Sequence, residues 1–387
     1  LKKVAVFHML PSGGGIRVLR EFTEHLSRQF DLSVHVPGGG SLQPAGSSIA
    51  ETVYPYPMWK RPTGFLRLAA PVFLMARLLS FQKVCRGIAE KINNSADIAL
   101  VHNSMPVAAP PVLQYLTIPS VYFCFEHPRH IYESSIIKRT NTALAEYALK
   151  PLGVLEKRID RLSAESATQV VTFSTFMQSN IERFYGRTAK IVRPGVNSKF
   201  FCPGDQLAER GRYVLSVGAL WKFKGHETAI RILGHIPAHR RPELKIVADR
   251  EYPGYKVKLH SLADSLSVKI AIQRSISEES LREMYRNAQA VICCQRNEPY
   301  GLVPLEAMAC GTPVIAIQEG GFVDNIIQGK TGFLFSGDPE EGAELLMNIL
   351  KDPGAASIIG SNGVLFTRKE RTIIQGANKL GEILESL

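Results

Sequence analysis

Two glutamates in the second half of the chain, Glu298 and Glu306, are separated by seven residues and follow an apolar stretch. Pro304 suits the first turn of a helix, and the backbone amides of residues 301–303 would then be free donors at the N-terminus of that helix. Such amides suit a diphosphate or sugar hydroxyls. Carboxylates beside an anion are costly unless they accept hydrogen bonds from hydroxyl groups. A nucleotide sugar carries such hydroxyls on both its ribose and its hexose.

A run of three glycines, Gly13-Gly14-Gly15, follows the first predicted strand and opens a helix. Glycines there let the backbone approach a ligand and direct helix amides at an anion. The run is not a dinucleotide fingerprint, because Val18 stands where the third glycine would be and no acidic residue ends the second strand. An ordinary strand-to-helix turn is the alternative.

These motifs lie in a chain that alternates strands and helices in both halves. In the first half the predicted strands are Val4–Leu10, Leu32–Val36, Ile98–His102, Val121–Glu126 and Val170–Ser174. In the second half they are Tyr213–Leu220, Leu244–Asp249, Val268–Gln273, Ala290–Cys294, Pro313–Ile317 and Gly332–Phe335. The predicted helices include Ile16–Phe30, Asn141–Glu165, Glu278–Asn287, Pro304–Ala309 and Glu340–Leu350. Strands rich in Val, Ile and Phe are typical of parallel sheets covered on both faces, so the chain is predicted to be α/β with two Rossmann-like, doubly wound domains facing each other across a cleft.

A stretch of turn-forming residues beginning at Arg193 separates the two halves. Ligands of open α/β sheets bind beyond the carboxyl ends of the strands, so the loops after the strands are expected to carry the chemistry. The expected organisation is an N-terminal domain over residues 1–195, a linker over 196–211 and a C-terminal domain over 212–365. A final helix over 366–387 is expected to pack back toward the N-terminal domain.

The chain of 387 residues carries a formal net charge of +11, which is distributed unevenly. Residues 1–200 hold 24 Lys and Arg against 13 Asp and Glu, whereas residues 201–387 hold 22 of each. The excess in the first half implies an anionic partner there. No nucleic-acid motif accompanies it, so we expect no nucleic-acid partner. The apolar fraction of 45% and charged fraction of 21% exclude bulk disorder.

The segment 54–92 combines seven basic residues and one acidic residue with many large apolar side chains, including Trp59 and Phe65. Such a stretch can lie in a membrane interface. The alternative is a pair of helices packed on the sheet with solvated basic faces. No apolar run reaches about 18 residues, so no membrane-spanning helix is expected.

The six cysteines form no C-x-x-C pair and no zinc-like cluster with histidine. Several lie in apolar, strand-like runs, which favours buried thiols in a reducing compartment. The chain opens on an apparent first strand that is too short for a signal peptide. We therefore expect a cytoplasmic protein.

The motif from Glu298 to Val314 resembles the signature of family 4 retaining glycosyltransferases, which have the GT-B fold. It shares with that family the two glutamates at this spacing and the trailing Gly311-Thr312-Pro313-Val314-Ile315-Ala316. Further features similar to the family follow in order along the chain: the glycine run, Pro194-Gly195-Val196-Asn197, Ser216 through Gly225, and Gly329 through Leu334.

The resemblance implies roles for single residues. Glu306 would bind the donor ribose, Glu298 the transferred sugar, and Lys224 would neutralise the diphosphate as a point charge. His127 would lie near the sugar and the acceptor, which makes Glu298, His127 and Lys224 the expected catalytic residues; a loop histidine satisfied by backbone is the alternative for His127. The other expected donor-binding residues are Gly14, Gly15, Gly218, Arg274, Ile276, Tyr300, Gly301, Leu302 and Val303.

The chain also departs from the family pattern. Ala219 stands where the family usually has an arginine, and Lys222 and Arg296 are the candidates to replace that cation. Asp249-Arg250-Glu251 stands where the family often has a glycine-rich turn. No D-x-D triad occurs anywhere in the sequence. We therefore expect metal-independent catalysis without a metal ion or a cofactor, in which Lys224 and helix amides stabilise the leaving diphosphate.

The resemblance and the charge pattern together predict a hexosyltransferase. It would move a hexose, of glucose type, from a UDP-sugar to a lipid-linked saccharide or polysaccharide precursor, and the resemblance implies retention at the anomeric carbon. The protein would be associated peripherally with the inner face of the membrane, through an acceptor-side N-terminal domain that meets anionic lipid. A nucleotide-sugar epimerase of the same fold and a non-catalytic protein that binds nucleotide sugars or polyanions are the alternatives.

Overall fold

The computed structural model describes residues 1–11, 13–38, 49–56, 70–133, 149–204 and 210–387. They form two compact units. The first unit comprises Leu1–Arg193 together with Gly376–Leu387, and the second comprises Pro194–Gln375. The segment expected to be a linker, 196–211, lies in the second unit.

The first unit is built on a parallel sheet. Its strands are β1 Lys3–Met9, β2 Asp31–Pro37, β3 Ala50–Tyr54, β4 Ile98–Ser104, β5 Ser120–Phe123, β6 Gln169–Thr172 and β7 Ala189–Ile191. They lie in the order β3-β2-β1-β4-β5-β6-β7 with every pair parallel. The order reverses between β1 and β4, where open sheets of this kind leave a crevice at the carboxyl edge.

Five of these seven strands were predicted from the sequence. The two outer strands, β3 and β7, were missed because they lack an apolar run: β3 is mostly exposed and β7 has three residues.

The helices of the first unit cover this sheet. They are α1 Gly14–Leu26, α2 Ala70–Ser95, α3 Arg129–Tyr132, α4 Lys150–Ser166 and α5 Thr175–Tyr185. One buried cluster joins Phe7 of β1 to Phe81 and Ile88 of α2 and to Ile181 of α5.

The segment 54–92 is described in part. From Ala70 onward it is one continuous helix, α2, whose inner side is buried while Val72 and Leu79 are exposed. Residues 57–69, with Trp59 and Phe65, lie outside the described residues.

The second unit repeats the architecture. Its strands are β8 Tyr213–Val217, β9 Glu243–Ala248, β10 Ile270–Arg274, β11 Ala290–Cys293, β12 Val314–Ile317 and β13 Phe333–Phe335. They form a parallel sheet in the order β10-β9-β8-β11-β12-β13. All six strands were predicted, because each is a short apolar run that ends in turn-forming residues.

The helices of the second unit are α6 His226–Gly234, α7 Tyr255–Ser265, α8 Glu278–Asn287, α9 Leu302–Ala309, α10 Phe322–Asn325, α11 Pro339–Lys351 and α12 Pro353–Glu370. The order of the strands reverses between β8 and β11. The loops after these two strands therefore meet at the carboxyl edge of the sheet, and they carry most of the residues expected to bind a ligand.

The last helix, α13 Ile373–Glu385, returns the chain to the first unit. The Lys2 ammonium donates a hydrogen bond to the carbonyl of Leu384 at 3.2 Å, and His25 lies 2.7 Å from the Asn378 side-chain oxygen. Within the described residues, no helix is both long enough and apolar enough to cross a bilayer.

Candidate active site

The helix α9 begins after a position at which only glycine fits. Gly301 has a φ of 93°, in the left-handed region, and a Cβ there would lie 2.7 Å from the ring of Phe322. Pro304 is the third residue of the helix. The first amides of α9 point out of the helix end without a side-chain cap, which makes them donors for an anion.

Lys224 and Glu298 meet beside this helix. The Lys224 ammonium lies 3.0 Å from Glu298 Oε2, and both side chains are about one quarter exposed or less. Gly225, with a φ of 75°, follows the lysine, and a Cβ there would lie 2.0 Å from the Cys294 carbonyl oxygen. This close approach fixes the lysine-bearing turn against the end of β11, so the positive charge and the glutamate are brought together by backbone packing.

Glu306 is buried inside α9. Its side chain is 2% exposed, and the Tyr285 hydroxyl donates a hydrogen bond to its Oε2 at 2.8 Å. Tyr300 is also buried, and its hydroxyl accepts a hydrogen bond from the Gly195 amide at 3.2 Å. Tyr300 therefore anchors the start of the second unit as well as shaping the loop before α9.

The turn after β8 is held by a histidine that the sequence did not single out. Gly218 has a φ of 155°, and a Cβ there would lie 3.4 Å from the Lys224 side chain. His226 Nε2 lies 3.1 Å from the Gly218 carbonyl and 3.3 Å from that of Ala219, while Nδ1 lies 2.9 Å from the Ser216 hydroxyl. Burial lowers the pKa of His226 to about 4, so the neutral ring donates from Nε2 and accepts at Nδ1.

The two candidate replacements for the missing arginine differ in their surroundings. Arg296 pairs with Glu319 at 2.9 Å, and its backbone amide donates to the Phe223 carbonyl at 3.1 Å. Lys222 is exposed at the start of the short turn that ends in Lys224. Arg296 lies two residues before Glu298, in the same loop after β11.

Two residues that are not glycine adopt left-handed backbone angles in the loops of this edge. They are Ser275, with a φ of 52° after β10, and Asn297, with a φ of 51° directly before Glu298. Such conformations cost about 1–3 kcal/mol each and occur where the surrounding structure requires them. In the loop after β10, Arg274 pairs with Glu251 at 3.0 Å, and Ile276 is half-buried.

The glycine run and His127 belong to the first unit. Gly13 has a φ of 128°, α1 begins at Gly14, and a Cβ on Gly15 would lie 3.2 Å from the Phe125 ring. The run therefore allows α1 to approach the end of β5 closely. Gly14, Gly15 and His127 lie in one unit, and the remaining expected site residues lie in the other.

His127 is buried and lies within hydrogen-bond distance of Glu133, an acidic residue that the sequence analysis did not identify. Its Nε2 lies 2.6 Å from Glu133 Oε1, while Arg129 Nε lies 3.2 Å from Glu133 Oε2. His127 is 3% exposed, and its Nδ1 is buried without a hydrogen-bond partner among the described residues. The available signal was the spacing of Arg129 and Glu133, which are four residues apart at the two ends of the short helix α3.

Residues 203–365 match the family model for glycosyl transferases group 1. A D-inositol 3-phosphate glycosyltransferase of Streptomyces bingchenggensis is 34% identical over 46% of this chain and 44% of its own length. One from Thermobispora bispora is 31% identical over 53% of this chain and 51% of its own length. The chain thus spans about half the length of the curated relatives it matches.

Solved structures share the fold over the whole chain. Sucrose-phosphate synthase from Thermosynechococcus elongatus has a TM-score of 0.78 at 19% identity, covering 100% of this chain and 99% of its own. Anabaena HepE in complex with UDP-glucose has a TM-score of 0.76 at 18% identity, covering 100% of both chains. The lipopolysaccharide-biosynthesis glycosyltransferase WaaG has a TM-score of 0.71 at 17% identity, covering 98% of this chain and 99% of its own.

Proposed function

Residues 203–365 are a glycosyl transferases group 1 domain in a chain with the GT-B fold, and from this premise we propose that the protein is a retaining hexosyltransferase. It moves a glucose-type hexose from a UDP-sugar to a lipid-linked or polysaccharide-precursor acceptor. The observation that carries the proposal is the Lys224–Glu298 pair at 3.0 Å, in the loops that border the free N-terminal amides of α9. Anabaena HepE, which shares the fold, has been solved in complex with UDP-glucose, and this supports a donor of that class.

The donor would lie along the carboxyl edge of the second sheet. Its diphosphate would meet Lys224, the turn at Gly218 and the amides of Leu302 and Val303. The buried carboxylate of Glu306 would accept hydrogen bonds from ribose, and Glu298 would do so from the hexose. The base would border the loop after β10 at Arg274 and Ile276.

The proposed reaction breaks the bond between the anomeric carbon and the β-phosphate oxygen. The acceptor hydroxyl forms the new bond on the same face, and its proton passes to the departing phosphate oxygen. Negative charge grows on the diphosphate during this step, so Lys224 and the helix amides stabilise the transition state more than the ground state. Positive charge supplied by the chain in this way supports turnover without a metal ion.

The first unit is proposed to bind the membrane and the lipid-linked acceptor. Its outer helices combine exposed apolar and basic residues: Val154 and Leu162 of α4 are 70% and 43% exposed, and Lys157 and Arg158 beside them are also exposed. A surface of this kind suits anionic lipid at the inner face of a membrane. It would bring a lipid-linked acceptor to the protein.

The experiment that tests the transferase proposal uses the purified chain in two steps. A thermal-shift screen against nucleotide sugars should find a selective donor, because a ligand that binds only the folded state stabilises it. Release of UDP is then measured with lipid-linked and oligosaccharide acceptors, with and without excess EDTA. We expect transfer that survives the chelator. Loss of transfer with EDTA and its recovery with Mn²⁺ or Mg²⁺ would overturn the metal-independent mechanism, and epimerisation of the donor without transfer would identify an epimerase.

A further inference from the structure

An exposed aromatic pair lies in the second unit beside the proposed donor site. Trp221 and Tyr252 are 44% and 48% exposed, and no other aromatic side chain in the described parts of the chain is exposed to this degree. Their ring centroids are 6.0 Å apart and their planes differ by 17°. Aromatic side chains that lie together in water mark interaction sites, because they offer a large apolar surface with a polar edge.

The backbone holds this pair in place. The loops after β8 and β9 continue to pair beyond the strands through a bridge between Leu220 and Glu251. The Leu220 amide donates to the Arg250 carbonyl at 2.8 Å, and the Tyr252 amide donates to the Leu220 carbonyl at 3.0 Å. The Trp221 ring also packs on Phe223, with centroids 4.9 Å apart. The aromatic surface is therefore ordered before a ligand arrives, which lowers the entropic cost of binding.

The pair is contiguous with the group proposed to stabilise the leaving diphosphate. Trp221 directly precedes the short turn Lys222–Lys224. The Phe223 ring that supports Trp221 lies 5.7 Å from the Lys224 ammonium, which in turn pairs with Glu298. An acceptor whose hydroxyl reaches the anomeric carbon beside Lys224 could thus place its next ring on this surface.

We propose that Trp221 and Tyr252 form a saccharide subsite that binds a pyranose ring of the acceptor; the assignment of that ring to the acceptor rests on the transferase function proposed above. A pyranose presents a face of C–H groups and an edge of hydroxyls. The aromatic pair matches the face. The edge would meet the charged residues that surround the pair, which are Lys222, the Asp249–Arg250 ion pair at 3.2 Å, and Glu251.

Two other occupants fit this surface less well. A lipid chain would remove water from these charged residues without replacing its hydrogen bonds, which is costly. The nucleobase of the donor has its own expected loop after β10, at Arg274 and Ile276. The charged rim therefore favours a saccharide over both.

Fluorescence provides a test that does not depend on turnover. The chain has two tryptophans, so Trp59→Phe leaves Trp221 as the single reporter. Maltotriose, chitotriose, mannotriose and UDP are titrated separately into this variant. We expect at least one oligosaccharide to change the emission of Trp221 saturably. Tyr252→Ala in the same background should weaken this binding about tenfold, equivalent to about 1.4 kcal/mol, whereas Tyr252→Phe, which keeps the ring, should bind within about twofold of the parent.

The matched control is Val257→Ala, at an exposed apolar position on α7 that is 72% exposed. It should leave oligosaccharide binding unchanged. Circular dichroism of each variant confirms that a lost response is not unfolding.

The outcomes separate this inference from the donor assignment. No emission change with any of the three oligosaccharides would overturn the subsite. The subsite would also be overturned if UDP by itself changed the emission of Trp221 as much as the oligosaccharides do, or more. The aromatic pair would then bind the nucleotide. An oligosaccharide response in a protein that binds no nucleotide by calorimetry would leave the subsite standing and remove the proposed donor. Binding of UDP by calorimetry without an oligosaccharide response would leave the proposed donor standing and remove the subsite.

Discussion

Lys224 and Glu298 neutralise each other, and in the proposed donor complex this pairing would change to let Lys224 meet the diphosphate. Because both side chains are partly exposed, water screens the pair, and it contributes no more than about 1 kcal/mol to stability. Glu306 differs, since its carboxylate is 2% exposed and receives a hydrogen bond from Tyr285. In the proposed donor complex, the partly exposed Lys224 would face the leaving group and the buried Glu306 would accept a hydrogen bond from a hydroxyl.

The two residues should respond differently to substitution. Glu306→Gln should weaken donor binding by about 1–3 kcal/mol, because a charge-assisted hydrogen bond is lost. Lys224→Ala should reduce kcat more than it reduces donor affinity, because the charge on the leaving group grows in the transition state. Calorimetry with UDP and with the intact donor, combined with initial rates, measures both effects. Lys256→Ala, at an exposed lysine of the same unit, is the matched control for charge. Wild-type affinity and turnover in both site variants would remove the assignment.

Glu133 is expected to act through His127. Its carboxylate lies 2.6 Å from Nε2 and favours the tautomer with a proton on that nitrogen, in which Nδ1 is an acceptor. Glu133→Gln should lower kcat about tenfold or more, as removal of a carboxylate does where it orients a metal-bound histidine, while donor affinity stays unchanged. NMR chemical shifts of the labelled imidazole report the tautomer directly. Glu165→Gln, at a more exposed glutamate of the same unit, is the control, and an unchanged tautomer and rate in Glu133→Gln would contradict the role.

At the scale of elements, the sequence located the parts of the second unit that depend on local signals. The strands around the site were visible as short apolar runs, and α9 was visible from Pro304 and the glutamate spacing. His226 was missed because its contacts, with Ser216 and the carbonyls of Gly218 and Ala219, arise only when α6 folds back on β8. The aromatic pair was missed for the same reason, since Trp221 and Tyr252 are 31 positions apart in the chain.

The buried carboxyl group of Asp160 in α4 is expected to make the free energy of unfolding depend on pH near neutrality. Asp160 of α4 is fully buried; it accepts a hydrogen bond from the Ala109 amide at 2.8 Å and another from the Tyr132 hydroxyl at 3.2 Å. Burial raises its pKa to about 7, against about 3.9 in an unfolded chain. Between these values the folded state binds more protons than the unfolded state, so its stability falls as pH rises from about 4 through 7.

Asp160→Asn should remove this dependence. The neutral amide oxygen can still accept from the Ala109 amide, while no charge forms in the core. Urea unfolding of wild type and variant at several pH values should show the variant gaining relative stability as pH rises toward 8. Parallel curves for the two proteins across this range would show that Asp160 does not titrate as described. Asp97→Asn, at an exposed position of the same unit, is the control.

At the scale of the whole molecule, the two units share a fold and differ in charge. The first half carries the entire excess of +11, and the second half is neutral. The fold class could be predicted because alternating strands and helices recur throughout the chain. Binding at a membrane stays a prediction, since Lys60, Arg61 and Arg67 lie outside the described residues.

Charge reversal tests the membrane prediction. Changing Lys60, Arg61 and Arg67 to Glu should weaken binding to anionic vesicles, because each basic residue near such a surface adds about 1 kcal/mol, less at high salt. Sedimentation with anionic and neutral vesicles at low and high salt measures the effect. The control applies the same change in charge to Lys256, Arg368 and Lys369 of the second unit. Equal pelleting with both kinds of vesicle, or with neither, would refute the membrane role and leave the transferase proposal intact.

The return of the chain to the first unit at Gly376 has a consequence for the order of folding on the ribosome. The second unit is one continuous segment, Pro194–Gln375, whereas the first needs Gly376–Leu387, which are translated after it. Domains generally fold as they emerge, with the N-terminal one first. In this chain the second unit is fully translated before the first unit has its final helix. The nascent chain should therefore become resistant to protease in the second unit before it does so in the first.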